Sequence, residues 1–443
     1  MLQRDSHPAM RPAHAQLVPE IHCELPGPRS REFAARLERV ESRNVTYLDG
    51  TAPIFWEEAR GVNVWDVDGN RLVDLSGAFG VANVGHAHPR VSAAIGDQAR
   101  RLLHAMGDVQ PPRIKVDLLE ALVRRYPGGA DARGVLLSSG SDAVEYAIKS
   151  AQLATGRSGI VAFDGAYHGL ALGALDATAR SDFRRPFEAR LPRACEHAAY
   201  GDADSVDAAC ERLRARGIET GAVLVEPVQG RGGDRVPPQG FLRSLRSRCD
   251  ERGWLLIADE VYTGFGRTGR WFACEHEGVT PDLLCVGKGL ASGMPISACL
   301  GRVEVMEAWP PSHGEALHTQ TFLGHPTSCA AALASIAVLD DEALVEASAR
   351  TGALALDHAR ERLGPIDGVA DVRGLGLMIG IACTRAEVAK RACAEALQRG
   401  YILLPSGDDG RVLSITPPLC IEAPLLLAAL DAVGECLERG GAA

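Results

Sequence analysis

Short apolar runs alternate with longer amphipathic stretches between about residues 130 and 300 of the chain. Because the central positions of each run are all apolar, they predict strands that are buried on both faces. Such strands, separated by helices, are typical of a mostly parallel sheet covered by helices, so the pattern predicts an α/β fold. The runs lie at residues 134–139, 159–165, 221–227, 254–260, 282–287 and 296–301.

The two ends of the chain predict a second, smaller unit. Residues 1–30 are rich in proline and histidine and predict a flexible N-terminal arm. Residues 31–85 start with a helical pattern and continue with a hairpin pattern around a Gly-Asn turn, which predicts the N-terminal part of a small domain. We assign residues 86–335 to a large domain. Residues 336–443 alternate between helical and strand patterns, and we assign them to the C-terminal part of a small α+β domain.

Composition narrows the class of protein. The chain has 443 residues, of which 46% are hydrophobic and 23% charged, as in ordinary globular proteins. Its net charge of −10 disfavours nucleic acid as a partner. No apolar run approaches the roughly 20 residues that span a bilayer, and the first residues lack an apolar signal core. The twelve cysteines include no C-x-x-C pair, so we expect a reducing, cytoplasmic setting without membrane contact.

An acidic residue and a lysine follow two neighbouring apolar runs. Asp259 comes directly after Leu255–Ala258, and Lys288 follows Leu283–Val286. A buried carboxylate near a buried lysine suits pyridoxal 5'-phosphate (PLP), because the lysine forms a Schiff base and the carboxylate keeps the pyridine nitrogen protonated. Taken singly, each residue has an ordinary alternative: Asp259 as a helix cap or metal ligand, and Lys288 as an exposed loop lysine.

Further polar motifs follow the other predicted strands. Ser139, Gly140 and Ser141 precede a helix, where free backbone N–H groups suit a phosphate; an ordinary helix cap is the alternative. Tyr167 follows a strand, where its ring could stack on a flat cofactor or simply fill a turn, and we interpret the adjacent His168 as structural. Glu226 also follows a strand, where it faces either the site or solvent.

Two further motifs have weaker implications. Thr321 precedes a helix and could contact a phosphate or act as a simple cap. His86 and His88 have the spacing of ligands on one strand face, but no third ligand is evident, so we expect no metal.

Six motifs in one order carry a specific resemblance. From about residue 30 to its end, the chain resembles the class III PLP-dependent aminotransferases, which have the fold-type I architecture. The resemblance implies a large, mostly parallel seven-stranded sheet domain, a smaller α+β domain and PLP as cofactor. The motifs are S-S-G-S-D-A, Y-H-G, E-P-V-Q-G, D-E-V-Y-T-G-F-G-R-T-G, G-K-G-L and T-F-L-G-H-P.

The resemblance also implies a role for each matching residue. Lys288 corresponds to the Schiff-base lysine that moves the proton, and Asp259 to the partner of the pyridinium nitrogen. Two further residues correspond to those that contact the faces of the cofactor ring, three to the phosphate cradle, and one to a glutamate near the cofactor's phenolic oxygen. In that order, these residues are Val261 and Tyr167; Ser139, Gly140 and Ser141; and Glu226.

One implied contact crosses between subunits. Thr321 corresponds to a threonine that binds the PLP phosphate of the other subunit. The resemblance therefore implies a homodimer with active sites that both subunits complete.

The chain departs from the family pattern where the substrate binds. Members that act on α-amino acids carry an arginine in an R-x-x-P-P-L motif, and that arginine also pairs with the glutamate that Glu226 matches. Here Ser414 occupies its place, and a hydroxyl cannot replace a bidentate guanidinium. Arg411 and Arg231 are candidates for carboxylate binding, and Phe79 is a third candidate for a substrate contact.

The resemblance predicts a transaminase of the ω-amino type. We expect an amine or ω-amino acid as donor and a keto acid or aldehyde as acceptor. Racemase, lyase and aminomutase chemistry on the same cofactor are alternatives, although the aminomutase branch carries D-E-V-M-T-G-F-R instead of the motif found here. A non-enzymatic descendant is a further alternative, which the presence of both Lys288 and Asp259 disfavours.

Overall fold

The computed structural model describes residues 16–47, 53–129 and 131–439. Residues 1–15 of the predicted N-terminal arm lie outside this range. The strands are β1 (Trp56–Arg60), β2 (Asn63–Asp66), β3 (Arg71–Asp74), β4 (Ala132–Leu137), β5 (Gly159–Phe163), β6 (Cys195–Ala198), β7 (Thr220–Val225), β8 (Leu255–Asp259), β9 (Leu283–Val286), β10 (Ser297–Arg302), β11 (Val369–Leu375), β12 (Met378–Cys383), β13 (Tyr401–Ile402), β14 (Leu404–Ser406) and β15 (Val412–Ile415).

The helices surround these strands in chain order. They are α1 (Pro28–Val40), α2 (Gly77–Gly80), α3 (Pro89–Arg101), α4 (Arg113–Val123), α5 (Gly140–Thr155), α6 (Leu172–Ala177), α7 (Ser181–Arg184), α8 (Ser205–Ala215), α9 (Phe241–Arg252), α10 (Val303–Met306), α11 (Pro326–Asp341), α12 (Leu344–Leu363), α13 (Ala386–Gln398) and α14 (Ala423–Glu438). Short 3₁₀ turns cover Arg185–Arg190, Ala273–Glu277 and Lys288–Leu290.

A seven-stranded sheet forms the centre of the molecule. Its order is β4-β10-β9-β8-β7-β5-β6, and only β10 runs antiparallel to its neighbours. All six apolar runs of the sequence form strands of this sheet, so the predicted α/β fold with a mostly parallel sheet is confirmed. The seventh strand, β6, lies at an edge and includes the partly exposed Glu196 and His197, which explains why the apolar pattern did not predict it.

Both faces of the sheet are covered, as uniformly apolar strands require. Val223, Leu256 and Leu284 of β7, β8 and β9 belong to one buried cluster, and their chain neighbours Leu224, Ile257 and Cys285 belong to another. Successive strand residues point to opposite faces, so these two clusters lie on the two sides of the sheet. Helix α5 packs over β9 and β10, and α9 packs over β8.

Segments from the two ends of the chain meet in a smaller sheet. β13 pairs in parallel with β3 to give the order β1-β2-β3-β13, and a second small sheet has the order β11-β12-β15-β14. This pairing supports one small domain built from both ends, and the domain boundaries stay a prediction.

The N-terminal arm is shorter than predicted. From residue 16 onward the chain lies along the β2–β3 hairpin: Leu17 N–H donates to Asn63 Oδ1 over 2.9 Å, and His22 N–H donates to Asn70 Oδ1 over 2.7 Å. Helix α1 begins at Pro28, before the predicted boundary at residue 30. Of the predicted arm, residues 16–30 are therefore attached to the fold, because side-chain amides of the hairpin satisfy backbone N–H groups of this segment.

Candidate active site

Three predicted site residues converge at one edge of the central sheet. Glu226 follows β7, Asp259 ends β8, and Lys288 lies two residues beyond β9. These three strands are parallel neighbours, and their register places Val225 beside Ala258 and Asp259 beside Cys285. The carboxyl ends of adjacent parallel strands meet at the edge where α/β sheets bind ligands.

A cavity of about 820 Å³ opens at this edge. Nine of the predicted site residues line it: Phe79, Gly140, Ser141, Tyr167, Glu226, Arg231, Asp259, Val261 and Lys288. A cavity of this size suits a cofactor together with a small substrate.

Three predicted site residues lie outside the cavity lining. Ser139 instead caps α5, because its hydroxyl accepts from Asp142 N–H over 3.2 Å. Thr321 is exposed. Arg411 is exposed and donates from Nε to Asp409 Oδ2 over 2.6 Å, so the structure does not bring it to the cavity. For Ser139, the cap that the sequence left as an alternative is the observed contact.

Lys288 projects into the cavity from a strained backbone. Its φ of 27° is in the left-handed region, which a lysine adopts only when its surroundings enforce it. Its Nζ lies 4.8 Å from the centroid of the Tyr262 ring, and it forms no salt bridge with any described residue. Burial lowers the pKa of this amine, which raises its neutral, nucleophilic fraction.

Asp259 is held by a histidine that no sequence motif assigned to the site chemistry. The Oδ2 atom of Asp259 lies 2.7 Å from Nδ1 of His168, and its Oδ1 accepts from Val261 N–H over 3.1 Å. Both side chains are buried. An ionised carboxylate only accepts hydrogen bonds, so Nδ1 donates and the Asp259 carboxylate keeps a fixed orientation. The interpretation of His168 as merely structural missed this contact, although the residue directly follows Tyr167.

Glu226 is fixed by backbone donors. Its two carboxylate oxygens accept from Tyr167 N–H over 2.9 Å and from Gly230 N–H over 3.1 Å. Burial raises the pKa of Glu226 to about 7, although these hydrogen bonds lower it. The residue therefore ties the loop that carries Tyr167 to the end of β7.

The N-terminus of α5 faces the cavity through small residues. A capping box between Ser139 and Asp142 fixes the start of this 16-residue helix. A Cβ added at Gly140 would lie 2.7 Å from Cγ1 of Val261, so only glycine allows this close approach. The Ser141 hydroxyl accepts from Ala171 N–H over 3.0 Å and anchors the following loop. A helix N-terminus with free N–H groups favours an anion.

The structure adds cavity residues to which the sequence motifs assigned no role in the site. Arg180 lines the cavity beside Phe183, and Tyr262 lines it beside Lys288. The Tyr262 hydroxyl lies 3.1 Å from Thr416 Oγ1, which joins the D-E-V-Y motif to the end of β15. Arg180 follows no strand end and belongs to no motif, so only the folded chain reveals its position.

The two histidines of the G-H-A-H-P segment have partners of their own. His86 Nε2 lies 2.8 Å from Asp74 Oδ2, and His88 Nε2 lies 3.1 Å from Glu342 Oε1. Over residues 16–47, 53–129 and 131–439, no group of three or more His, Cys, Asp or Glu side chains has an arrangement that could hold a metal ion. In the same ranges, no helix is long and apolar enough to cross a membrane.

The donors and acceptors of the cavity fit PLP. Asp259 offers a carboxylate for a protonated ring nitrogen, the N-terminus of α5 offers N–H groups for a phosphate, and Lys288 offers an amine without an ion-pair partner among the described residues. The close contact of Gly140 with Val261 leaves no room for a larger side chain beside the cradle.

Comparisons with known proteins agree with this geometry. The class-III aminotransferase family model matches residues 46–437. Acetylornithine aminotransferase from Methanopyrus kandleri is 40% identical over 389 residues, which cover 88% of this chain and 95% of that protein. 4-Aminobutyrate aminotransferase from Mycobacterium leprae is 37% identical, covering 94% of this chain and 98% of that protein.

A solved structure extends the likeness to the fold. The PLP-bound amine transaminase from an uncultivated Pseudomonas species superposes with a TM-score of 0.80 at 29% identity, covering 89% of this chain and 99% of that one. The predicted family and the fold-type I architecture are thus confirmed. The chain belongs to the class III aminotransferase family and is a PLP-dependent aminotransferase.

Proposed function

We propose that this chain moves an amino group from a primary amine or ω-amino acid to a keto acid or aldehyde, with Lys288 as the residue that bonds PLP. The observation that carries this proposal is the position of Lys288. Its amine enters the cavity between Asp259 and the N-terminus of α5, and burial lowers its pKa. A neutral amine is the form that attacks a carbonyl carbon.

The residues around Lys288 divide the remaining work. When bound, PLP supplies an electron sink. Asp259, oriented by His168, holds the proton on the ring nitrogen, and Val261 and Tyr167 contact the two ring faces. Once the substrate amine has displaced it, Lys288 Nζ takes the proton from the substrate carbon and returns it on the cofactor side.

The donor class follows from the relatives and from one departure. The relative from Mycobacterium leprae is named for 4-aminobutyrate, an ω-amino acid. Ser414 lines the cavity of this chain, where a fixed arginine for an α-carboxylate would stand. The absence of that arginine supports amines and ω-amino acids as donors over α-amino acids.

A panel of amine donors, each tested against pyruvate and against 2-oxoglutarate, examines the proposal. We expect new amino acid to form only when donor and acceptor are both present, because the amino group must leave on an acceptor. Product formed from a donor without any acceptor would instead identify a racemase or a lyase.

We further propose a homodimer in which Thr321 contacts the PLP phosphate of the other subunit. An apolar patch around this residue supports the assembly: Leu103, Val109 and Phe322 are 61%, 71% and 59% exposed. The two segments that form the patch lie together, since the rings of His104 and Phe322 are 5.4 Å apart. Exposed apolar side chains in a contiguous patch mark an interface.

A subunit-mixing experiment tests the shared site. Lys288→Ala and Thr321→Arg variants should each be nearly inactive alone. In a mixed dimer, one site receives Lys288 from one subunit and Thr321 from the other, so refolded equimolar mixtures should recover about a quarter of the wild-type activity. Mixtures that stay as inactive as the separate variants would contradict the shared site.

A reducing, cytoplasmic setting remains our proposal for the compartment. All twelve cysteines are free, and eight of them are buried. Unpaired cysteines are the rule in reducing compartments, where they serve as small apolar residues.

A further inference from the structure

Two arginines enter the cavity with aromatic rings around them. The guanidinium carbon of Arg231 lies 5.0 Å from the Tyr167 ring centroid and 5.3 Å from that of Phe183. The guanidinium carbon of Arg180 lies 5.4 Å from the same Phe183 ring. We call Arg180 and Arg231 the arginine pair. Cation–π contact with one ring holds both groups at one wall of the cavity.

The arginine pair lacks an acidic partner. Within the described ranges, neither side chain forms a salt bridge, and Nε of Arg180 is buried without a hydrogen-bond partner. Other buried or half-buried arginines of the chain do have partners: Arg267 donates to Pro417 O and to Asn83 Oδ1, and Arg373 donates to Asp371. Two cations at one ring repel each other unless an anion lies between them.

The acids of the cavity are not free to supply that anion. Glu226 accepts from Tyr167 N–H and Gly230 N–H, and Asp259 is held by His168 and Val261 N–H. The compensating charge must therefore come from a molecule that enters the cavity.

We propose that the arginine pair binds the carboxylate of the substrate, and that it does so from the wall carrying Tyr167 and Phe183 instead of from the position of Ser414. This inference rests on the proposed function and names its substrate class: amino and keto acids whose carboxylate reaches the arginine pair. Planar guanidinium groups suit this role, because each can donate two parallel hydrogen bonds to a carboxylate.

Three variants and one control test the pair in the PLP-loaded protein. The variants are Arg180→Met, Arg231→Met and the double variant, which keep side-chain bulk but remove charge. The control is Arg185→Met, because Arg185 is exposed outside the cavity lining and pairs with Asp182 over 3.1 Å. Glutarate, an unreactive diacid, serves as the binding probe by calorimetry, and its uncharged diamide serves as the matched ligand.

The expected result is a charge-specific loss. The double variant should raise the Kd of glutarate about 10- to 100-fold, the range for a lost hydrogen-bonded charge pair, while the Kd of PLP and the Arg185→Met protein stay unchanged. In parallel turnover assays, the KM of succinic semialdehyde should rise and kcat should hold, while pentanal, which lacks the carboxylate, should keep both constants.

Three results would overturn the arginine pair: glutarate binding that survives the double variant, wild-type protein that binds glutarate no better than the diamide, or a loss of PLP affinity that marks a phosphate role. Failure of the proposed function is distinguishable. Absent turnover with intact, arginine-dependent glutarate binding would reject the reaction and retain the pair.

Discussion

Lys288 acquires its chemistry from its position. A lysine between two glycines after a short apolar run has no special reactivity by composition. The fold places its amine beside the Tyr262 ring and near two carboxylates, Asp259 and Glu226, and burial still lowers its pKa. Desolvation therefore outweighs the attraction of both acids, which leaves an amine that can react near neutral pH.

Removing this amine should end turnover without unfolding the protein. We expect Lys288→Ala to lower kcat by about a thousandfold or more in the acceptor-dependent assay, because no other group can bond the cofactor and move the proton. Lys390→Ala on α13 is the matched control and should keep wild-type kcat. Retained steady-state transamination by Lys288→Ala would reject the assignment.

The His168–Asp259 pair should contribute more to stability than a half-exposed pair of similar length. His168→Leu leaves a buried carboxylate with one backbone donor, so we expect a loss of about 3 kcal/mol in the unfolding free energy of the cofactor-free protein. The control is His358→Leu, which breaks the half-exposed pair with Asp431 at 2.8 Å and should cost about 1 kcal/mol or less. Urea unfolding measures both, and equal losses would contradict this account.

At the scale of elements, continuous apolar runs predicted the strands and their shared edge. Because parallel neighbours end together, the apolar pattern alone could predict that Glu226, Asp259 and Lys288 lie near one another. It could not place Arg180, which reaches the cavity from a loop that neither alternation nor a motif describes. It also missed β6, where a partly exposed edge strand needs no apolar run.

The close approach of α5 to Val261, just after β8, gives an element-scale prediction. Alanine at Gly140 favours the helix, yet its Cβ would meet Val261 at 2.7 Å and displace the helix N-terminus from the cavity. We expect Gly140→Ala to weaken PLP binding about tenfold in a fluorescence titration.

Gly96→Ala within α3 is the control for this substitution. Its nearest neighbour would be 3.6 Å away, so we expect unchanged PLP affinity and slightly higher stability. If Gly140→Ala binds PLP as tightly as Gly96→Ala, the contact does not shape the cradle.

At the scale of the whole molecule, a carboxyl buried where the loop after β7 meets the small β11–β15 sheet makes folding depend on pH. Burial raises the pKa of Asp234 to about 8 from its ordinary 3.8, although Ser414, Arg373 and Arg267 lower it. The folded protein therefore binds a proton that the unfolded chain has released. Stability from this group is highest near pH 4 and falls as the pH rises toward 8. Glu226, with its pKa raised to about 7, adds to the same trend.

Asp234→Asn removes this titration. The melting temperature of the variant should exceed that of the wild type by an amount that grows between about pH 5 and about pH 8. Asp408→Asn on the surface is the control and should follow the wild type throughout. A difference between Asp234→Asn and the wild type that shrinks with rising pH would show that the buried carboxyl is not protonated in the folded state.

The whole chain also offers a direct test of its central claim, that Lys288 bonds the cofactor. The sequence contains four lysines, at positions 115, 149, 288 and 390. Borohydride reduction of the PLP-loaded protein, followed by proteolysis and mass spectrometry, reports which of them carries the cofactor. The account predicts one adduct per chain, on Lys288. An adduct confined to Lys115, Lys149 or Lys390, or no adduct after saturation with PLP, would contradict it.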